Sequence, residues 1–143
     1  MRHLIELLDG AVQDAYVEAG LDYRPRFTPV MRALAGGKPH TVSQIAEVAG
    51  ITQPAATQTV NLMVKEGWLV AQSSPTDARQ KLLVLSAQGK RLLPKLQACW
   101  RATAAAADDL DTELPHPLSD TLARAIEALE RRPFGERIRK AKE

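Results

Sequence analysis

The chain has 143 residues, a single cysteine and a formal net charge of +2 from 19 basic and 17 acidic side chains. A chain of that length buries roughly 68% of its unfolded surface around one core, so neither a metal nor a disulfide is needed for folding, and one domain over residues 1–143 is expected. No apolar run approaches the ~20 residues that span a bilayer, and the start MRHLIELLDG is amphipathic rather than a secretory leader, so a cytoplasmic chain without a membrane partner is expected.

In chain order, Leu4, Leu8, Ala11, Val12, Ala15 and Ala19 recur at helical spacing, and Gly20 is placed as a left-handed stop. Pro25 and Pro29 delay the next helix to about Thr28, from which Val30, Met31 and Leu34 lead to the Gly36-Gly37 break. Thr41-Val42-Ser43-Gln44 has the spacing of a capping box, in which threonine and glutamine side chains satisfy each other's orphan amides. The helix it opens carries Ile45, Ala46, Val48 and Ala49 and ends at Gly50. Thr52 then caps another helix with Pro54 in its first turn, and two helices this close across a glycine predict a helix-turn-helix.

On the second of these helices Ala56, Val60, Met63 and Val64 fall on one face, while Gln53, Thr57, Gln58, Asn61 and Lys65 fall on the other. Gly67 closes it. Residues 68–71 and 82–85 read as two strands joined by a tip at 74–80, and Ser86 caps a long helix. There Leu93, Leu96, Trp100, Thr103, Ala107, Leu110 and Leu114 step by alternating threes and fours. The pattern resumes at Leu118, Leu122, Ala125 and Leu129 beyond Pro115 and Pro117, as an interrupted heptad-like seam with Pro94 as a kink or early-turn residue.

Helix, helix-turn-helix, hairpin and long seam helix predict a mostly α fold with a small β-hairpin wing. If the polar face of the helix over residues 52–65 enters a major groove, the wing tip with Arg79 and Lys81 reaches the adjoining backbone and minor groove, where a guanidinium finds the most negative potential. The overall charge is silent on this. Residues 38–90 carry Lys38, Lys65, Arg79, Lys81 and Lys90 against Glu47, Glu66 and Asp77, which again nets only +2.

TVSQIAEVAGITQPAATQTVNLMVKEGWLV and PTDARQKLLVLSAQGKRLL resemble the MarR family of bacterial transcriptional regulators, closely over residues 41–93 and in layout elsewhere. Three matches carry the likeness: Thr52 to Ala55 at the recognition-helix start, Asp77 and Arg79 in the wing, and Leu85, Ser86 and Gly89 after it. The resemblance implies a DNA-reading lobe at 28–90, with dimerisation helices at 1–22 and 91–143. It implies a homodimer on a pseudo-palindromic double-stranded operator, acting as a repressor and released by a small-molecule effector. Thr41, Thr52, Gln53, Pro54, Thr57, Gln58, Asn61, Lys65, Asp77, Arg79 and Lys81 are then the DNA-binding residues, with Asp77 holding Arg79. The chain departs from the family pattern at Gln58, where a basic residue is common, so its recognition face is neutral until Lys65. Glutamine and asparagine still grip adenine bidentately, but few cations release few counterions.

Other residues keep two readings. Arg79 and Asp77 also suit a plain surface ion pair. Cys99 beside Trp100 suits a redox sensor or an inert interface thiol. Asp108, Asp109, Asp111, Glu113 and His116 suit a metal site or, better, a solvated acidic face, since no ligand spacing is recognisable; no metal or cofactor is expected. Tyr16, Tyr23, Phe27 and Trp100 are pocket or core residues, and Arg131, Arg132, Arg137, Arg139 and Lys140 suit a solvated helix end that assists dimer packing or, less well, a phosphate contact. There is no phosphate-cradling glycine loop and no nucleophile beside a base, so no catalytic residue and no enzyme is expected. Two competitors remain: a winged-helix module that docks a protein with little or no DNA binding, which the neutral recognition face favours, and a regulator that senses redox through Cys99.

Overall fold

Residues 2–142 are described by a computed structural model, and among them lie seven α-helices and one antiparallel hairpin. The first is α1, Arg2–Glu18, which stops before Gly20 at φ 71°. A short 3-10 turn, Pro25–Phe27, leads into α2, Thr28–Leu34. The capping box forms as expected at the start of α3, Val42–Ala49: Thr41 Oγ1 accepts from the Gln44 amide at 3.2 Å, and Gln44 Oε1 accepts from the Thr41 amide at 2.9 Å. Gly50, at φ 65°, ends it and lets the chain turn into α4, Gln53–Lys65, with Thr52 as N-cap.

Strands β1, Leu69–Ser73, and β2, Lys81–Leu85, pair in the register Leu69 opposite Leu85 and Ser73 opposite Lys81. The tip is therefore residues 74–80, as the sequence predicts. His40 adds a single-residue third strand that the sequence did not announce, its amide and carbonyl exchanging hydrogen bonds with Leu83 at 3.1 and 2.7 Å. Helix α5, Ala87–Glu113, holds Pro94 inside it, so the Lys90 carbonyl loses its ladder donor.

Two compact units divide the chain, one up to Cys99 and one from Trp100, with the boundary inside α5. In the first, Val30, Met31, Leu34, Ile45, Met63 and Leu69 are buried around an aromatic stack. Tyr23 sits at its centre, edge-to-face with Tyr16 (4.7 Å), Phe27 (5.8 Å) and Trp68 (5.3 Å). Burial holds the Tyr23 phenol above its ordinary range, and its hydroxyl shares a hydrogen bond with Thr28 at 3.1 Å. Tyr16, Tyr23 and Phe27 are thus core rather than pocket lining.

Helix α4 buries Ala56, Thr59, Val60 and Met63, an i, i+3, i+4, i+7 set. Two expected apolar positions miss the core: Val64, one turn further on, is exposed, and Val48 lies outside the narrow arc that an eight-residue α3 buries. The Leu-Ser-x-x-Gly stretch is explained by packing. Ser86 Oγ donates to the Gly67 carbonyl at 2.6 Å and accepts from the Gly89 amide at 3.0 Å, and a Cβ on Gly89 would meet the Trp68 carbonyl oxygen at 2.5 Å. Only glycine lets α5 begin so close to the wing.

The second unit contains the rest of α5, then α6, Leu118–Arg131, and α7, Phe134–Lys140. Asp111 reaches across the turn to cap α6: its Oδ1 accepts from the Leu118 amide at 2.6 Å and the Ser119 amide at 3.3 Å, and its Oδ2 from the Ser119 hydroxyl. Arg137 closes the other end, donating from Nη2 to the Ala128 carbonyl at 2.9 Å and from Nε to the Arg132 carbonyl at 3.2 Å. An acid at the helix start and a base at its finish both complement the macrodipole. The expected solvated acidic face and solvated basic end are corrected at these two residues. Neither α6 nor α7 buries a residue, and of the predicted seam only Leu96 is buried within the chain.

Candidate nucleic-acid interface

The eleven residues expected to bind DNA, from Thr41 to Lys81, lie in the first unit and on its surface, with Thr41 half-buried. Helix α4 turns Gln53, Pro54, Thr57, Gln58, Asn61 and Lys65 to solvent because the opposite face is spent on the core. Thr57 Oγ1 donates back to the Gln53 carbonyl at 3.0 Å, so it meets an outside group only as an acceptor. Thr52 differs. Its Oγ1 accepts from the Ala55 amide at 3.3 Å, which leaves its hydroxyl hydrogen for an acceptor such as a phosphate oxygen, and Thr41 stands the same way at the start of α3. Two helix N-termini therefore each present a hydroxyl donor beside their dipole's positive end.

The wing tip is ordered by its own side chains. Asp77 Oδ1 accepts from the Arg79 amide at 2.9 Å, the Gln80 amide donates to the Asp77 carbonyl at 3.0 Å, and Ser74 donates its amide to Gln80 at 3.1 Å. Asp77 therefore holds the backbone of Arg79 and not its guanidinium. The Arg79 guanidinium and the Lys81 and Lys65 ammonium groups have no ion-pair partner among the described residues. Lys81 opens β2 opposite Ser73.

Between the polar helix and the wing lies a three-residue joint, Glu66, Gly67 and Trp68, with Gly67 at φ 83°. The exposed face of α4, this joint and the hairpin tip make one continuous run of chain, and that is the geometry of a winged helix-turn-helix. Residues 28–80 match the family model described as the MarR family. Over that stretch the chain is similar to the MarR family.

Solved structures share the fold of the chain. A probable transcriptional regulator from Pseudomonas aeruginosa is 19% identical, with TM-score 0.61 over 88% of this chain and 93% of its own. The transcriptional repressor CouR bound to a 23-mer DNA duplex is 18% identical, with TM-score 0.66 over 90% and 88%. CouR from Rhodococcus jostii RHA1 bound to p-coumaroyl-CoA is 21% identical, with TM-score 0.60 over 93% and 90%. No curated protein sequence matches the chain.

Contacts between elements remote in sequence were not legible beforehand. The Arg24 guanidinium meets the Glu66 carboxylate at 2.6 Å across 42 residues, and neither residue sits in a motif. Among the described residues no three His, Cys, Asp or Glu side chains converge as for a metal ion, and Cys99 is half-buried.

Proposed function

We propose that the chain is a sequence-specific, double-stranded-DNA-binding transcriptional repressor that works in the cytoplasm as a homodimer and is released by a small-molecule effector. The observation that carries this reading is the outward polar face of α4 followed directly by a wing whose tip arginine has no partner among the described residues. Gln53, Gln58 and Asn61 read base edges, Thr41 and Thr52 hold phosphates, and Arg79 enters the minor groove. The fold shared with a repressor bound to a DNA duplex supports it. Nothing in this scheme asks for catalysis.

The dimer is supported by apolar surface that a lone chain leaves wet: Leu4, Ile5 and Leu8 on α1, and Leu122, Ile126 and Leu129 on α6. At about 1.5–3 kcal/mol for each such side chain buried, covering these helix faces with a second copy outweighs the cost of association. Helices at 1–22 and 91–143 supply those faces. Two recognition helices must then sit about 34–36 Å apart, one turn of DNA, and an effector that prefers another spacing weakens binding by its preference between the two states. Tyr16, Tyr23 and Phe27 are closed in the core and do not line an open pocket.

Sedimentation of the purified chain, followed by selection of bound fragments from random duplex DNA, tests the whole scheme. A dimer and a consensus of two half-sites 10–10.5 base pairs apart are expected. A stable dimer that retains no duplex at low salt transfers the reading to a protein-docking module, the alternative that the neutral recognition face favours.

A further inference from the structure

We infer that Arg24 and Glu66 are positioning residues for DNA reading: together they latch the joint between the recognition helix and the wing, and couple that joint to α1. The inference rests on the DNA-binding function proposed above and adds residues that touch no DNA.

Two adjacent residues grip the joint from either side of Gly67. The Arg24 guanidinium meets Glu66, the C-cap residue of α4, at 2.6 Å, and the Tyr23 ring packs edge-to-face on Trp68 at 5.3 Å. Gly67 between them adopts φ 83°, and its carbonyl is held by Ser86 Oγ at 2.6 Å. The joint is thus tied on the wing side by Ser86, whose amide also donates to the Trp68 carbonyl at 2.9 Å, and on the helix side by Arg24. Arg24 is itself placed: its guanidinium carbon lies 6.0 Å from the centre of the Phe27 ring. The Gln13 side chain of α1 donates to the Tyr23 carbonyl at 3.1 Å. A continuous path therefore runs from α1 through residues 23 and 24 to the end of α4.

Glu66 carries two costs where it stands. A carboxylate at a helix C-terminus opposes the macrodipole, and an acid on a nucleic-acid-binding unit lowers the attraction for phosphate. Both are offset if its role is to receive Arg24. The pair is shielded on the Glu66 side only, with the Glu66 side chain 24% and the Arg24 side chain 51% exposed, so salt still screens it in part. Tyr23 and Trp68 are core and fix the joint permanently, whereas the ion pair is the half that can open.

Simple electrostatics and the latch predict opposite signs for one substitution. Glu66→Gln removes a negative charge, which by charge alone strengthens binding to duplex DNA. As a latch component its loss weakens binding, and only to the specific operator. With operator taken from the fragment selection, we expect Glu66→Gln and Arg24→Gln each to weaken operator binding about 3- to 5-fold, and the double variant to be no weaker than either. The exchanged pair Arg24→Glu with Glu66→Arg is expected to return to within about 2-fold of wild type, all at temperatures where circular dichroism shows the fold intact. Glu66→Gln binding as well as or better than wild type overturns the latch, and so do losses that multiply in the double variant. Wild type that binds no duplex is a separate failure, of the DNA reading itself, and takes the latch with it.

Discussion

The Asp77 carboxylate accepts a hydrogen bond from the backbone amide of Arg79 at 2.9 Å, while the Arg79 guanidinium has no partner among the described residues. The acid spends itself on shaping the loop two residues on, an Asx-turn, and leaves the cation free for an anion outside the protein. Arg79→Ala is therefore expected to cost about 1–3 kcal/mol of operator binding, roughly 5- to 150-fold, with an unchanged melting temperature. At Asp77 the shape of the substitute matters more than its charge. Asp77→Asn keeps an acceptor oxygen and is expected to bind as wild type, whereas Asp77→Ala loses about 3-fold through a looser tip. Equal losses for the two in a fluorescence-anisotropy titration would mean that the charge, not the turn, is what counts.

The start of α5 is set by contact rather than propensity. With the Trp68 carbonyl oxygen 2.5 Å from where a Cβ would stand, Gly89→Ala forces the helix away from the wing, at about 1–3 kcal/mol of stability. Ser86→Ala strands the Gly67 carbonyl and the Gly89 amide together and is expected to cost a similar ~1–3 kcal/mol. Urea unfolding reads both. A Gly89→Ala protein with the wild-type midpoint contradicts the close approach.

Asp111 ties α6 to pH. The Ser119 hydroxyl, then the Ser119 and Leu118 amides, stabilise its ionised form and hold the carboxyl below the ordinary aspartate value of 3.8. Because the folded value is the lower one, the cap's contribution is present at neutral pH and is lost as pH falls through that depressed value. The Ser119 amide resonance is expected to titrate with a midpoint below 3.8 and to stop titrating in Asp111→Asn. A midpoint at or above the ordinary value removes the cap from the account of α6.

Local rules were enough for the reading lobe. The capping box at Thr41, the cap at Thr52, the stops at Gly20, Gly50 and Gly67 and the 74–80 tip all depend on a few neighbouring residues, and all stand where the sequence put them. What escaped was joined across distance. The His40 bridge to Leu83, the Arg24 bridge to Glu66 and the caps from Asp111 and Arg137 depend on which elements meet in space. Periodicity also overstated burial: Leu93, Leu96, Trp100, Thr103 and Ala107 have seam spacing, yet the chain alone buries only Leu96 among them. A heptad pattern records what a helix can pack against without saying whether the partner is in the same chain. The proposed DNA-contact residues on α4 were readable because exposure there is the complement of a core pattern.

The neutral recognition face sets the ionic signature of binding. Each protomer of the proposed dimer offers Arg79, Lys81 and, late on α4, Lys65 as cations at the proposed interface, with Gln58 where a base would add one more. Since each neutralised phosphate contributes about 0.9 to the slope of log K against log salt, the wild-type dimer is expected to show a slope shallower than about −7, fewer than eight phosphates. Gln58→Arg adds one cation per protomer and is expected to steepen the slope by about 1.8 while raising affinity for unrelated duplex DNA. Discrimination between operator and unrelated DNA should fall, because the added charge acts on every phosphate while the lost glutamine read a base. A wild-type slope already at eight or more, or a Gln58→Arg slope equal to wild type, moves the phosphate contacts off α4 and the wing to cations elsewhere on the chain.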